Sequence, residues 1–211
     1  MIYQIVSRIP FDSNIYLLMG KENVLIDSGT GLDSADIIGK IRGFIGAGTI
    51  DRILLTHCHF DHIGGAHSLS NAFGCDVYAG YIDAAPIREG DSMYTLCKDF
   101  GLEIPGFDVK DLRKDDIIDI GDHRVRVIET PGHTLGGVCY YDEVTHALFS
   151  GDTVFASGVG RTDFMGGSIV SLRNSIKYLN SIDIKGLYPG HGQTVQDGSL
   201  SVKRGLEFVG D

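Results

Sequence analysis

The chain of 211 residues contains no tryptophan, only five prolines and four cysteines, and no apolar run approaching the length that spans a bilayer. Cys58, Cys75, Cys97 and Cys139 are scattered without CxxC spacing, which argues against a disulfide framework and against a thiolate zinc site. Reduced thiols in packed positions are expected instead. Cations are also scarce: 18 Lys and Arg stand against 28 Asp and Glu, for a net charge of −10. Lys110, Arg113 and Lys114 sit among Asp108, Asp111, Asp115 and Asp116, so the sequence offers no basic groove for nucleic acid. The opening Met-Ile-Tyr-Gln-Ile-Val has no basic flank leading into an apolar core. No secretion signal is read there, and neither a membrane nor a nucleic acid is expected as a partner; the cytoplasm is the default location.

What is present is an ordinary globular composition, 43% apolar and 22% charged, with no internal repeat, linker or low-complexity tract. The length suits one domain over residues 1–211 and one catalytic unit. Short β-rich segments at 2–6, 14–19 and 23–26 predict an N-terminal antiparallel run. Between Asp33 and Ile45, Ile37, Ile38, Ile41, Phe44 and Ile45 form the stripe of an amphipathic helix that Gly46 and Gly48 close. Further strands are expected at 76–79, 117–120, 123–129, 137–142, 146–150 and 186–188, with helices over 62–73 and 168–180. Residues 80–116 mix helical fragments with Gly90, Gly101, Pro105 and Gly106, and their elements are not assigned.

The chemistry is concentrated at residues 51–65. There Ile53, Leu54 and Leu55 make a short buried-strand run that leads into His57, His59, Asp61 and His62. In extended chain a spacing of two puts His57 and His59 on one face and Cys58 on the other. Asp61 and His62 follow where the chain turns into a helix, so they can face a neighbouring point. Polar loop residues clustered by chance are the bland alternative, but three of the eight histidines within six positions beside an aspartate form a metal signature.

Three later turns repeat one rhythm, a strand followed by glycine and a possible ligand: Pro131-Gly132-His133, Gly151-Asp152 and Pro189-Gly190-His191. The candidates are therefore His57, His59, Asp61, His62, His133, Asp152 and His191. Two metals about 3.5–4 Å apart need such a set, with one carboxylate placed to bridge. Imidazole with carboxylate suits zinc first, with iron or manganese as alternatives. His67, His123 and His146 have no companion ligand and are read as surface or packed histidines.

His57-Cys58-His59-Phe60-Asp61-His62, with His133, Asp152 and His191 downstream in that order, resembles the metallo-β-lactamase superfamily from about Val24 to Gly192. The resemblance implies an α/β fold, the αββα four-layer sandwich, with the site at one edge between two sheets. It implies that His57, His59 and His133 hold one divalent metal ion and Asp61, His62 and His191 a second, with Asp152 bridging and Asp27 supporting the ligands from behind. The stretch Phe149-Ser150-Gly151-Asp152-Thr153, followed by Gly158-Val159-Gly160-Arg161-Thr162-Asp163-Phe164, resembles the glyoxalase II group and its short relatives. Arg161 matches a position that contacts substrate there. Only twenty residues follow His191, too few for the helical C-terminal domain of full-length glyoxalase II, so none is expected here.

The expected activity is hydrolysis of a small hydroxyacylglutathione-like thioester by a metal-bridging hydroxide, with Asp61 and Asp152 as catalytic residues. A thiolate leaving group with a pKa near ~8.5 needs little help from a general acid. The alternative is a mononuclear-iron persulfide dioxygenase, which shares the Gly-Arg-Thr-Asp-Phe portion. Enzymes of that kind typically carry threonine where Gly64 stands and lack the Pro-Gly-His-Gly of 189–192. A third reading, a metal-binding protein without turnover, gains little from an intact ligand set. The assembly state is not legible.

Overall fold

A computed structural model describes residues 1–210. In order it contains β1 (Ile2–Ile5), β2 (Ile15–Met19), β3 (Asn23–Ile26), α1 (Ser34–Ile45), β4 (Arg52–Leu55), α2 (Phe60–Ile63), α3 (Ala66–Phe73), β5 (Asp76–Gly80) and α4 (Tyr81–Glu89). Then come a single 3-10 turn at Cys97–Phe100, β6 (Lys110–Leu112), β7 (Ile117–Asp119), β8 (Arg124–Glu129), β9 (Val138–Asp142) and β10 (Ala147–Gly151). A small ribbon of β11 (Val154–Phe155) and β12 (Gly158–Val159) precedes α5 (Ile169–Leu179), β13 (Gly186–Pro189) and α6 (Gly198–Val209).

Alternation along each strand deals its side chains into different cores. In β2 to β4, Leu17, Leu25, Ile53 and Leu55 face one way, packing with Ile37 and Ile41 of α1, Leu69 of α3 and Ile87 of α4. Leu18, Val24, Ile26 and Leu54 face the other way and meet Val125, Val127, Tyr140 and Phe149 of the second sheet. On that sheet's far side Ile128, Cys139, Tyr141 and Leu148 pack beneath Leu172 and Ile176 of α5 and Val202 of α6. Three cores between four layers are the αββα sandwich that the resemblance implies. Strands covered on both faces carry continuous apolar runs, which explains the unbroken Ile53, Leu54 and Leu55 before the histidines.

The first sheet runs β1-β2-β3-β4-β5-β6, antiparallel as far as β3 and parallel thereafter. The second runs β13-β10-β9-β8-β7, with β13 parallel to β10 and the other pairs antiparallel. Hence β3 and β4 share one direction, and so do β8, β10 and β13, and each set ends at a shared edge.

The helix expected over 62–73 begins at Phe60 and breaks at Gly64-Gly65 into α2 and α3. A Cβ on Gly64 would lie 2.1 Å from the carbonyl oxygen of Thr30, so the break lets the backbones touch. Phe44, counted in the stripe of α1, is instead 44% exposed and stacks against Tyr3 with ring centroids 4.8 Å apart. The unassigned 80–116 stretch supplies α4, the 3-10 turn and β6, and α6 is a further helix beyond the last expected strand. No helix among the described residues is long and apolar enough to cross a membrane.

Candidate metal centre

Five chain segments meet at the shared edge. Asp27 follows β3, Thr56 to His59 follow β4, and His133, Asp152 and His191 follow β8, β10 and β13. His59 caps α2 in extended conformation, and the first turn of that helix swings Asp61 and His62 back toward the histidines before it. Side-chain alternation sends Cys58 away into the helical core, as its spacing predicts. All four cysteines are buried free thiols.

The ligand atoms fall into three overlapping groups, each with its members within 4.8 Å of one another: His57, His59 and His133; His57, His62 and Asp152; and Asp61, His62 and His191. Asp152 stands between the outer groups, its Oδ1 3.3 Å from Nε2 of His62 and its Oδ2 3.6 Å from Nε2 of His133. Nε2 of His191 lies 3.0 Å from Oδ2 of Asp61 and 3.8 Å from Oδ2 of Asp152. All seven candidates are therefore brought together.

The hydrogen bonds behind the rings decide which nitrogen faces inward. Nδ1–H of His133 donates to the carbonyl oxygen of Arg161 at 2.7 Å, and Nδ1–H of His62 donates to Oδ2 of Asp27 at 2.8 Å. Thr56 Oγ1 donates to the same Asp27 oxygen at 2.9 Å, leaving its lone pair for Nδ1–H of His57 at 3.0 Å. A carbonyl or a carboxylate can only accept, so these contacts place the proton on Nδ1 and bare the Nε2 lone pair. Nε2 of His57, His59, His62 and His133, together with Oδ1 of Asp152, are buried without a hydrogen-bond partner. Buried polar atoms are rarely left so. Converging lone pairs with no donor among them fit a divalent cation.

The electrostatics divide the site. Burial, then the neighbouring His62, pushes His57 far below the ordinary imidazole range, and burial, then His133, pushes His59 down to about 3. Burial acts on His62 the same way, but the carboxylates of Asp27, Asp152 and Asp61 outweigh it and raise that ring well above its usual value. His191 is raised too, since its bond to Asp61 and the charge of Asp152 overcome burial. Asp152 and Asp61 stay ionised against burial because the rings around them favour the anion.

The family model for the metallo-beta-lactamase superfamily matches residues 8–191. The chain belongs to that superfamily. A "probable metallo-hydrolase" of Methanocaldococcus jannaschii is 36% identical over 188 residues, 87% of this chain and 89% of the relative. The hydroxyacylglutathione hydrolase of Rhodospirillum rubrum is 35% identical over 147 residues, 69% of this chain but 50% of that protein. Among solved structures, the B3 metallo-beta-lactamase BLEG-1 superposes with a TM-score of 0.83 at 30% identity, covering 94% of this chain and 95% of its own. TTHA1623, solved in a di-iron-bound form, superposes at 0.78 with 33% identity over 92% and 94%.

Within this metallo-beta-lactamase fold, sequence reasoning left several supports unread. Thr56 couples Asp27 to His57, and the backbone carbonyl of Arg161, rather than its side chain, sets the His133 ring. The Arg161 guanidinium is turned outward: it pairs bidentately with Asp163 at 2.9 and 2.6 Å and lies 4.2 Å above the ring of Phe164. Phe164 in turn edges His59 at 5.6 Å between centroids, so Arg161 sits one aromatic ring away from the histidines. The His191 turn is held by Asn14, whose N–H donates to Gly190 O at 2.7 Å, and by Tyr16, whose hydroxyl donates to Pro189 O at 2.8 Å. Asn-x-Tyr at the entry to β2 carried no motif that would have marked it. A Cβ on Gly190 would stand 2.2 Å from Oδ1 of Asp152, which is why glycine precedes His191. His67 lies exposed on α3, and His123 is buried against Asp142 at 2.7 Å, apart from the cluster.

Proposed function

We propose that the chain is a dinuclear metallohydrolase that cleaves a small thioester, in the manner of glyoxalase II. The observation that carries the metal reading is the set of partnerless inward nitrogens around Asp152. The substrate class is supported by the hydroxyacylglutathione hydrolase relative, although the chain spans about half of that protein, and by the Gly64 and Pro-Gly-His-Gly positions, which resemble hydrolases over persulfide dioxygenases. His57, His59 and His133 would hold one ion, Asp61, His62 and His191 the other, and Asp152 would serve both. Zinc suits these donors, and iron or manganese can replace it.

Two divalent ions bound there supply Lewis acidity that brings the pKa of a water from 15.7 to roughly 7 and polarises an acyl oxygen. The chain's own groups supply geometry. Asp61, whose Oδ2 lies 3.0 Å from Nε2 of His191, would share the second ion with that ring and could orient the attacking water beside it. Water adds its oxygen to the acyl carbon, the C–S bond breaks with its electrons going to sulfur, and the thiolate takes up the released proton to leave a carboxylic acid and a thiol. With the thiol pKa near ~8.5, no dedicated acid is required for departure.

The test is to express the protein without added metal, measure metal identity and stoichiometry, and assay lactoyl-glutathione hydrolysis beside oxygen uptake with glutathione persulfide and turnover of a β-lactam. Two ions per chain with thioester cleavage are expected. One iron with oxygen consumption overturns the hydrolase reading, and β-lactam turnover without thioester turnover overturns the substrate class. Asp152→Ala should lose both metal and activity, and a variant that keeps the full hydrolytic rate would refute its shared role.

A further inference from the structure

His57 and His59 hang from the six-stranded sheet and His133 from the five-stranded one, so the first histidine group exists only if two layers keep a fixed separation. Asp83 stands where they meet. It occupies the first turn of α4, is 2% exposed, and has no Lys or Arg partner among the described residues. Its Oδ2 accepts the Cys58 N–H at 3.0 Å and the Thr134 hydroxyl at 2.7 Å, and its Oδ1 accepts the Gly136 N–H at 2.7 Å. The Cys58 amide lies between His57 and His59, and Thr134 adjoins His133. A Cβ on Gly136 would stand 2.6 Å from Oδ1 and 2.4 Å from the Asp83 nitrogen, so the His133 turn is pressed directly onto this helix start.

Three donors on two oxygens match an ionised carboxylate, which only accepts. Burial without a cationic side chain pushes the Asp83 carboxyl up, and the three hydrogen bonds, two on Oδ2 and one on Oδ1, oppose that push. We propose that Asp83 is a positioning residue for the His57, His59 and His133 group: by tying both turns to one carboxylate it sets the spacing of those three rings and hence their affinity for a metal ion. The Asp61, His62 and His191 group, whose His62 ring is held by Asp27, does not depend on it.

The proposal rests on the two-ion reading, and titration of zinc into metal-free protein against a chromophoric chelator tests both. In Asp83→Asn, the affinity of one of two sites should fall roughly 10- to 100-fold, as is typical when a group behind a ligand is lost, while the other is unchanged. Thr134→Val, which removes one of the three bonds, should weaken the same site by less and guards against a variant that fails to fold. In a His191→Ala background, which leaves the first group intact, the Asp83→Asn loss should persist. A general structural role would lower the melting temperature and weaken both sites together, and that result, or no change at either site, overturns the role of Asp83 alone. A wild type that binds one ion removes the two-ion reading as well.

Discussion

At the scale of single residues, the site is built from rings that differ in how readily they take a proton. His59 is held down to about 3 and His57 far below its usual value, whereas His62 and His191 are raised above 6.5. Protons compete with a metal for the same Nε2 lone pairs, and a ring whose pKa is raised loses that competition at higher pH. As pH falls, an ion on the His62 and His191 side should therefore leave first, and an ion on the His57 and His59 side should persist to lower pH. Metal content after equilibration at stepped pH should fall in two stages, and simultaneous loss of both ions would contradict the asymmetry. Arg161 gives a second residue-level expectation. Its pair with Asp163 is solvent-exposed, so it is weakly held and available to a substrate carboxylate. Arg161→Ala should raise KM several-fold for a glutathione thioester, with kcat nearly unchanged and no effect on a thioester lacking carboxylates. Steady-state kinetics with the two substrates decide it.

At the scale of elements, the turns deliver the ligands and the helices hold the sheets that aim them. Ile176 on α5 is fully buried beneath the second sheet, in a core separate from the histidines. Ile176→Ala should lower unfolding stability by about 2–5 kcal/mol in a denaturant titration while metal stoichiometry stays at the wild-type value. Gly64→Ala should lower metal stoichiometry as well as stability, because its Cβ would strike the Thr30 carbonyl and displace the short helix that carries Asp61 and His62. Much of this was legible. Strands buried on both faces read as apolar runs, the α1 and α5 stripes repeat at helical spacing, and each ligand turn carries glycine beside a ligand. The illegible parts have physical causes. Pro86 sits within α4 and disguises it as a broken segment, β11 and β12 are two-residue strands too short for any period, and a continuous helix over 62–73 ignores the backbone contact at Gly64. Asp83 and Thr56 act through contacts between distant segments, and such pairings leave no local pattern.

At the scale of the whole molecule, the net charge of −10 bears on what approaches the centre. Glutathione thioesters are anionic, and long-range repulsion from an acidic protein slows their encounter and is screened with a Debye length of about 10 Å at 0.1 M salt. Two dications held as proposed would add local positive charge of the opposite sign, confined to the sheet edge where the candidate ligands converge. The balance predicts a dependence that distinguishes substrates. Raising ionic strength should lower KM for an anionic thioester, because screening weakens the distant acidic surface more than the buried site, whose ions are reached at contact range. A neutral thioester of similar size should show a flat profile over the same range. Rates measured across a salt series at fixed pH separate the two cases: a KM for the anionic substrate that climbs with salt would mean that attraction to the metal edge and Arg161 governs capture, and that the acidic surface does not.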